Sequence, residues 1–254
     1  MLRNGTRLEG YELQARDGAI GHVRDLYFDD HHWSLRYFVV DAGSWLVSRQ
    51  VLISPLAVHS PQWNEKRLPV DLSKEQIKNS PGIDTDRPVS RQHEMSLSDY
   101  YGWPYYWADP TFAGIGMTTP IPVAAADGTQ AAAQAAVEDD AGDPHLRSLN
   151  HVRGHHIVAR DGEIGHVDDL LLDDATWQVR YLVIDTRNWW PGKKVLISPL
   201  WITGFGWSDA KVYVDLSRQA VQGSPEYDPQ RPVDTGYAAR LHDYYGRPRP
   251  DERE

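Results

Sequence analysis

The chain has no cysteine, which excludes a disulfide framework and any thiol chemistry. No stretch approaches the ~18 consecutive apolar residues of a transmembrane helix. The opening Met1-Leu2-Arg3-Asn4-Gly5-Thr6 lacks the apolar core that a signal peptide needs. The cytoplasm is therefore the expected compartment, with a peripheral membrane contact left open. Basic residues are in the minority, 26 Lys and Arg against 36 Asp and Glu, and the net charge is −10. No segment is strongly basic, so the electrostatic footprint of phosphate-backbone binding is missing and nucleic acid is not an expected partner. No glycine-rich phosphate loop leads from a strand into a helix, and no serine, histidine and acid fall into a nucleophile motif. No cofactor is expected, and these motifs give no support to an enzyme.

What the chain has is a repeat. Arg16-Asp17-Gly18-Ala19-Ile20-Gly21-His22-Val23-Arg24-Asp25-Leu26 returns as Arg160-Asp161-Gly162-Glu163-Ile164-Gly165-His166-Val167-Asp168-Asp169-Leu170, an offset of 144 residues. The offset holds without a gap from Gly10 to Pro104, and 42 of those 95 positions are identical. The expected organisation is one unit over 1–104, a second over 151–254, and a linker over 105–150. The linker is aromatic at first, then proline-bearing, alanine-rich and acidic, and residues 113–148 read as mostly disordered.

Each unit reads as a succession of short strands. Asp17-Gly18 is a tight-hairpin signal. Ile20 to Phe28 alternates with one irregularity near Gly21, the mark of a bent or bulged strand. Trp33 to Asp41 is rich in β-branched and aromatic residues, and Gln50-Val51-Leu52-Ile53 follows. Pro69 makes Arg67 to Leu72 an edge strand, since proline cannot donate to a ladder. Ser73 with Gln76 predicts a capped helical turn, and Ser90 to Tyr101 a second helix ending at Gly102. About six short strands with regular turn signals predict a small barrel or sandwich. Ile20, Val23, Leu26, Tyr37, Val39, Val51 and Ile53, with their equivalents Ile164, Val167, Leu170, Tyr181, Val183, Val195 and Ile197, are the candidate cores.

Two kinds of site stand out. His22 beside Asp25, repeated as His166 beside Asp169, could be an acid–base or metal pair, but strand positions 22 and 25 face opposite ways unless the bend intervenes. Asp29-Asp30-His31-His32 resembles a metal cluster, whereas its counterpart Asp173-Asp174-Ala175-Thr176 has lost the histidines. An acidic turn explains the aspartates equally well. The second kind is aromatic, with 10 Trp and 13 Tyr against 4 Phe. Trp33, Trp45, Trp63, Tyr100 and Tyr101, with Trp177, Trp189, Trp207, Tyr244 and Tyr245, form a candidate interaction surface. The alternative is that the Asp-Tyr-Tyr-Gly segments pack back on their own units.

Asp17-Gly18-x-Ile20-Gly21-x-Val23-x-Asp25-Leu26, then Tyr37 to Asp41 and Val51 to Pro55, resemble the PRC-barrel domain. So do Asp161 to Leu170, Tyr181 to Asp185 and Val195 to Pro199. The family includes the cytoplasmic barrel of the photosynthetic reaction centre H subunit and the C-terminal barrel of the ribosome maturation factor RimM. The resemblance implies a mainly β fold of two tandem small antiparallel barrels, each followed by short helices. It implies a non-enzymatic module working through protein–protein contacts in the H-subunit manner, with photosynthetic electron transport as the setting. Two alternatives stay open: RimM-like ribosome assembly, and a metal-binding or hydrolytic enzyme using His22, Asp25, Asp29 and His31. The gapless offset further suggests that the two barrels associate with each other.

Overall fold

The computed structural model describes residues 1–43, 49–82, 89–107, 143, 145–186, 192–206 and 209–248. Trp45, Trp189, Trp207 and most of the proposed linker lie outside them. In chain order the strands are β1 (Leu2–Asn4), β2 (Glu12–Ala15), β3 (Gly18–Asp29), β4 (Ser34–Asp41), β5 (Gln50–Ile53), β6 (Arg67–Pro69) and β7 (Leu146–Ser148). They continue as β8 (His156–Ala159), β9 (Gly162–Asp173), β10 (Val179–Asp185), β11 (Lys194–Ile197), β12 (Ile202–Gly206) and β13 (Lys211–Val214). The helices are α1 (Lys74–Asn79), α2 (Arg91–Tyr101), α3 (Leu149–Val152), α4 (Arg218–Gly223) and α5 (Thr235–Tyr245).

The chain divides into two compact units that cut across the repeat. An amino unit contains Arg7–Ser148 with Ala175–Gln178, and a carboxyl unit contains Met1–Thr6, Leu149–Asp174 and Val179–Glu254. The amino-unit sheet runs β5-β4-β3-β2-β6 with β7 added to β3. The carboxyl-unit sheet runs β11-β10-β9-β8-β13-β12 with β1 added to β9. The fold is mainly β, but the expectation of antiparallel barrels needs correcting. β2 pairs with β6, and β8 with β13, in parallel. Among the described residues the pairing path stays open, with no pair joining its end strands. Parallel neighbours need a crossover, and the 3-10 turns Pro55–Ala57 and Trp63–Glu65 lie within the one between β5 and β6. β6, the strand with Pro69, does end its path.

β3 and β9 each run 12 residues and serve two sets of neighbours. In β3, Gly18 to His22 pair with β2, and His22 to Asp29 pair with β4. The change of partner requires a bend, and the glycine lies at it. A Cβ on Gly21 would sit 1.9 Å from the Asp41 carbonyl oxygen, and one on Gly165 2.2 Å from that of Asp185. The ladder slips between Leu13 and Gln14, opposite Gly21. All fourteen candidate core residues named above are buried.

The helices follow their caps. Ser73 and Gln76 form the reciprocal capping box of α1. Ser90 caps α2, and Gly102 ends it in the left-handed region at φ 71°. α2 buries Leu97 over a cluster of Tyr37, Val39, Leu52 and Val89. It also buries Glu94 completely. Tyr106 Oη donates to Glu94 Oε1 at 2.7 Å and lies 3.2 Å from Asp143 Oδ2. Arg91 reaches both carboxylates, at 3.1 and 2.8 Å. Desolvation pushes the Glu94 carboxyl up to about 8, Arg91 opposing and Asp143 reinforcing it. Asp143 is held further by its main-chain N–H to Val89 O at 2.7 Å, and its Oδ1 accepts from the His145 N–H at 3.0 Å. This network fixes the approach to β7. Within the stretch 113–148 expected to be mostly disordered, residues 146–148 instead form β7, held by its pairing with β3.

Two measurements test this framework. Gly21→Ala should lower unfolding stability by about 3 kcal/mol, the upper part of the overpacking range. Gly204→Ala, where nothing lies within 4 Å of the added carbon, should cost under about 1 kcal/mol. For Glu94, the folded pKa lies above the unfolded value of 4.5, so the folded state holds a proton that the unfolded chain releases. Stability should fall as pH rises from about 4.5 to about 8 and level off above. Glu94→Gln should remove that slope and gain on the order of 3 kcal/mol over wild type at pH 8.5 relative to pH 5. Equal pH profiles in urea denaturation would contradict this.

Candidate functional site

Each bent strand accepts a strand from outside its own repeat, and the same chemistry seats both. In the amino unit β7 lies antiparallel on β3, with Tyr27 opposite Ser148, Phe28 opposite Arg147 and Asp29 opposite Leu146. Arg147 Nε donates to Asp30 Oδ2 at 2.7 Å, and Ser148 Oγ to Asp25 Oδ2 at 2.5 Å. Leu146 packs on the cluster under α2. In the carboxyl unit β1 lies on β9, with Leu171 opposite Asn4, Leu172 opposite Arg3 and Asp173 opposite Leu2. Arg3 Nε donates to Asp174 Oδ2 at 2.7 Å. Asp169 accepts from Asn4 Nδ2 at 3.0 Å, from Thr6 Oγ1 at 2.5 Å and from the Thr6 N–H at 3.0 Å. Burial raises the Asp169 carboxyl above its ordinary value, against the pull of these donors. Seating a strand by main-chain pairing plus charged side-chain anchors is β-strand addition.

Of the acidic-turn aspartates, Asp30 and Asp174 therefore serve strand docking through their side chains. Burial alone would raise the Asp29 carboxyl, but Arg36 and the bonds from His32 and His31 outweigh it and hold it below the usual range. His22 is exposed on β3, while Asp25 accepts from Ser148 and from the Leu26 N–H. In the second copy Asp169 is buried under Asn4 and Thr6.

The aromatic candidates divide. Trp33 stacks on Phe28 at 5.7 Å, held at a left-handed φ of 55°. Trp177, at φ 58°, meets Phe38 edge-on at 5.2 Å and lies 6.2 Å from Trp63. Tyr101 stacks on Trp103 at 4.2 Å, and Tyr245 packs on buried Trp201 at 4.6 Å. These rings pack inside their units, although Trp33, Trp63, Tyr101, Trp177 and Tyr245 all keep part of their surface. Tyr100 and Tyr244 stay exposed at 41% and 44%. Each is braced by its hydroxyl, Tyr100 to Gln76 O at 2.8 Å and Tyr244 to Ala220 O at 3.0 Å. Leu56 and Leu200, first after Ser-Pro in each repeat, are exposed at 45% and 48%.

Sequence reasoning missed the docking residues Leu2, Arg3, Leu146 and Arg147. Their signal was present, since Leu-Arg recurs at the same offset of 144 just ahead of the stretch where the repeat was traced. It also missed Glu94, whose burial no local pattern announces.

No curated protein matches the chain. One family model does, and it begins at the docked strand, taking in β7, the bent strand β9 and the strands paired with it as far as the start of β13. Residues 145–212 match the PRC-barrel domain.

Proposed function

We propose that this protein is a non-enzymatic assembly module acting through protein–protein contacts. The PRC-barrel match suggests an interaction or assembly role, and the finer reading is an adaptor of the kind the H-subunit resemblance implies. The observation that carries it is the duplicated exposed pair, Leu56 with Tyr100 and Leu200 with Tyr244. Among the described residues, six large hydrophobic side chains are exposed, and these four are two pairs at equivalent positions. A single exposed leucine is ordinary, whereas the same leucine and tyrosine presented twice supports a duplicated contact. Both are preorganised. Ser54 Oγ accepts from the Leu56 N–H at 3.2 Å and Ser198 Oγ from the Leu200 N–H at 3.4 Å, while the tyrosines are braced as described. Rigid apolar anchors lose little entropy on binding. No helix of the described residues is long and apolar enough to cross a membrane, so contact with a bilayer through a helical span does not enter the reading.

Capture from the native cell with the full chain as bait, read by mass spectrometry, tests it. A discrete partner should be recovered with wild type and lost at least tenfold with Leu56→Ser/Leu200→Ser. The thermal midpoint should stay within a few degrees, since exposed substitutions cost about 0.5 kcal/mol or less each. Equal recovery with the double variant would overturn the assignment.

A further inference from the structure

The approach to β7 is pinned by a buried cluster with one carboxyl group more than its cation can balance. Arg91 Nη1 lies 3.1 Å from Glu94 Oε2, and Arg91 Nη2 lies 2.8 Å from Asp143 Oδ2. Glu94 and Asp143 are both buried. One guanidinium offsets one carboxylate. The other must keep a proton or stand as an uncompensated buried charge. The two carboxyl groups are also hydrogen-bonded to each other, which two ionised carboxylates cannot be.

The other groups facing the pair leave this balance unchanged. Tyr106, after α2, donates its hydroxyl to Glu94 at 2.7 Å, and burial keeps that phenol neutral. Tyr37 on β4 brings a second hydroxyl to Glu94. Arg36, also on β4, lies 3.8 Å over the Tyr106 ring, but Asp29 faces it at 3.3 Å. Next to Asp143 in the chain, His145 and Arg147 face Asp30, at 2.8 and 2.7 Å. The His145 ring also lies 5.6 Å from that of His31, whose neighbour His32 faces Asp29. These histidines do not make a metal site, since among the described residues no group of three or more His, Asp or Glu could hold an ion. Burial, reinforced by Asp143, keeps the Glu94 carboxyl protonated against the pull of Arg91.

The same cluster carries the added strand. The Asp143 N–H donates to Val89 O at 2.7 Å. In return Asp143 accepts from the His145 N–H at its Oδ1 and from the Leu146 N–H at its carbonyl, at 3.0 and 3.3 Å. The Asp30 N–H then donates to His145 O at 2.9 Å, where β7 meets β3. Loss of the proton sets two carboxylates against each other at this attachment. In the carboxyl unit Ala238 stands at the position of Glu94, and β1 is anchored through Asp169 and Asp174 instead.

We propose that Glu94 and Asp143 form a proton-operated latch. With one proton between them they keep β7 seated on β3, and without it β7 leaves and the β3 edge opens. The opening is local to this strand, in addition to the whole-protein slope expected of Glu94.

Hydrogen exchange of the full-length protein between about pH 6 and pH 9.5, read by mass spectrometry and corrected for intrinsic exchange rates, tests the latch. In wild type, peptides covering residues 27–30 and 146–148 should lose protection at least tenfold as pH rises. Peptides covering 2–4 and 171–173 in the carboxyl unit should change less than about twofold, as should those covering 39–40 and 51–53 in the amino unit. Glu94→Gln keeps an N–H to donate to Asp143 and has no proton to lose in this range, so its protection at 27–30 and 146–148 should stay level. Constant protection at 146–148 in wild type overturns the proposal, whether or not the variant folds. A uniform loss across the amino unit overturns it as well, and so does the same pH-dependent loss in folded Glu94→Gln.

Discussion

In each unit a glycine lies against a main-chain carbonyl too closely for any Cβ, Gly21 at Asp41 and Gly165 at Asp185. No side chain fits there, and the fold depends on it. The bend lets one 12-residue strand pair with one neighbour at its start and with others at its end. Without it β3 and β9 would run straight past the place where an added strand is received. The pleat also sets what faces the added strand, so that Asp25 and Asp169 meet it with a carboxylate.

The two units solve the same problem with different polar groups. Tyr37 and Tyr181 occupy equivalent buried positions beneath α2 and α5. In the amino unit the hydroxyl neighbours Glu94, and burial with that carboxylate holds the phenol far above its ordinary value. In the carboxyl unit Tyr181 Oη lies 3.2 Å from His242 Nε2 instead, and the position equivalent to Glu94 is Ala238. A buried hydroxyl needs a partner, and either will do. The choice decides whether that half of the molecule carries an acid whose proton leaves within the neutral range.

The strands, the bend and the core were legible because their signals are local: alternation, β-branched runs, and a glycine inside a strand. The caps at Ser73, Ser90 and Gly102 were legible for the same reason. Leu2–Asn4 and Leu146–Ser148 were not, because three residues hold no periodicity and their partners lie some 120 to 170 residues away. Parallel pairing of β2 with β6 is equally silent, since a strand's sequence does not state its direction. The turn histidines were visible as residue types, but His145 reaches them only through the added strand. Trp177 keeps part of its surface, and a left-handed backbone turns its ring onto Phe38 and Trp63.

The borrowed strands also set an order of events during synthesis. Residues 2–4 leave the ribosome well before the strand that receives them, which is complete only at Asp173. The amino unit, for its part, lacks one strand until Ser148 has emerged. At translation rates of about 5–20 residues per second, the opening segment waits on the order of ten seconds or more for its place. The amino sheet is not finished when its own repeat is finished, because β7 lies beyond it. A chain stalled in the linker would hold an amino unit with an open edge and a β1 segment with no sheet to join.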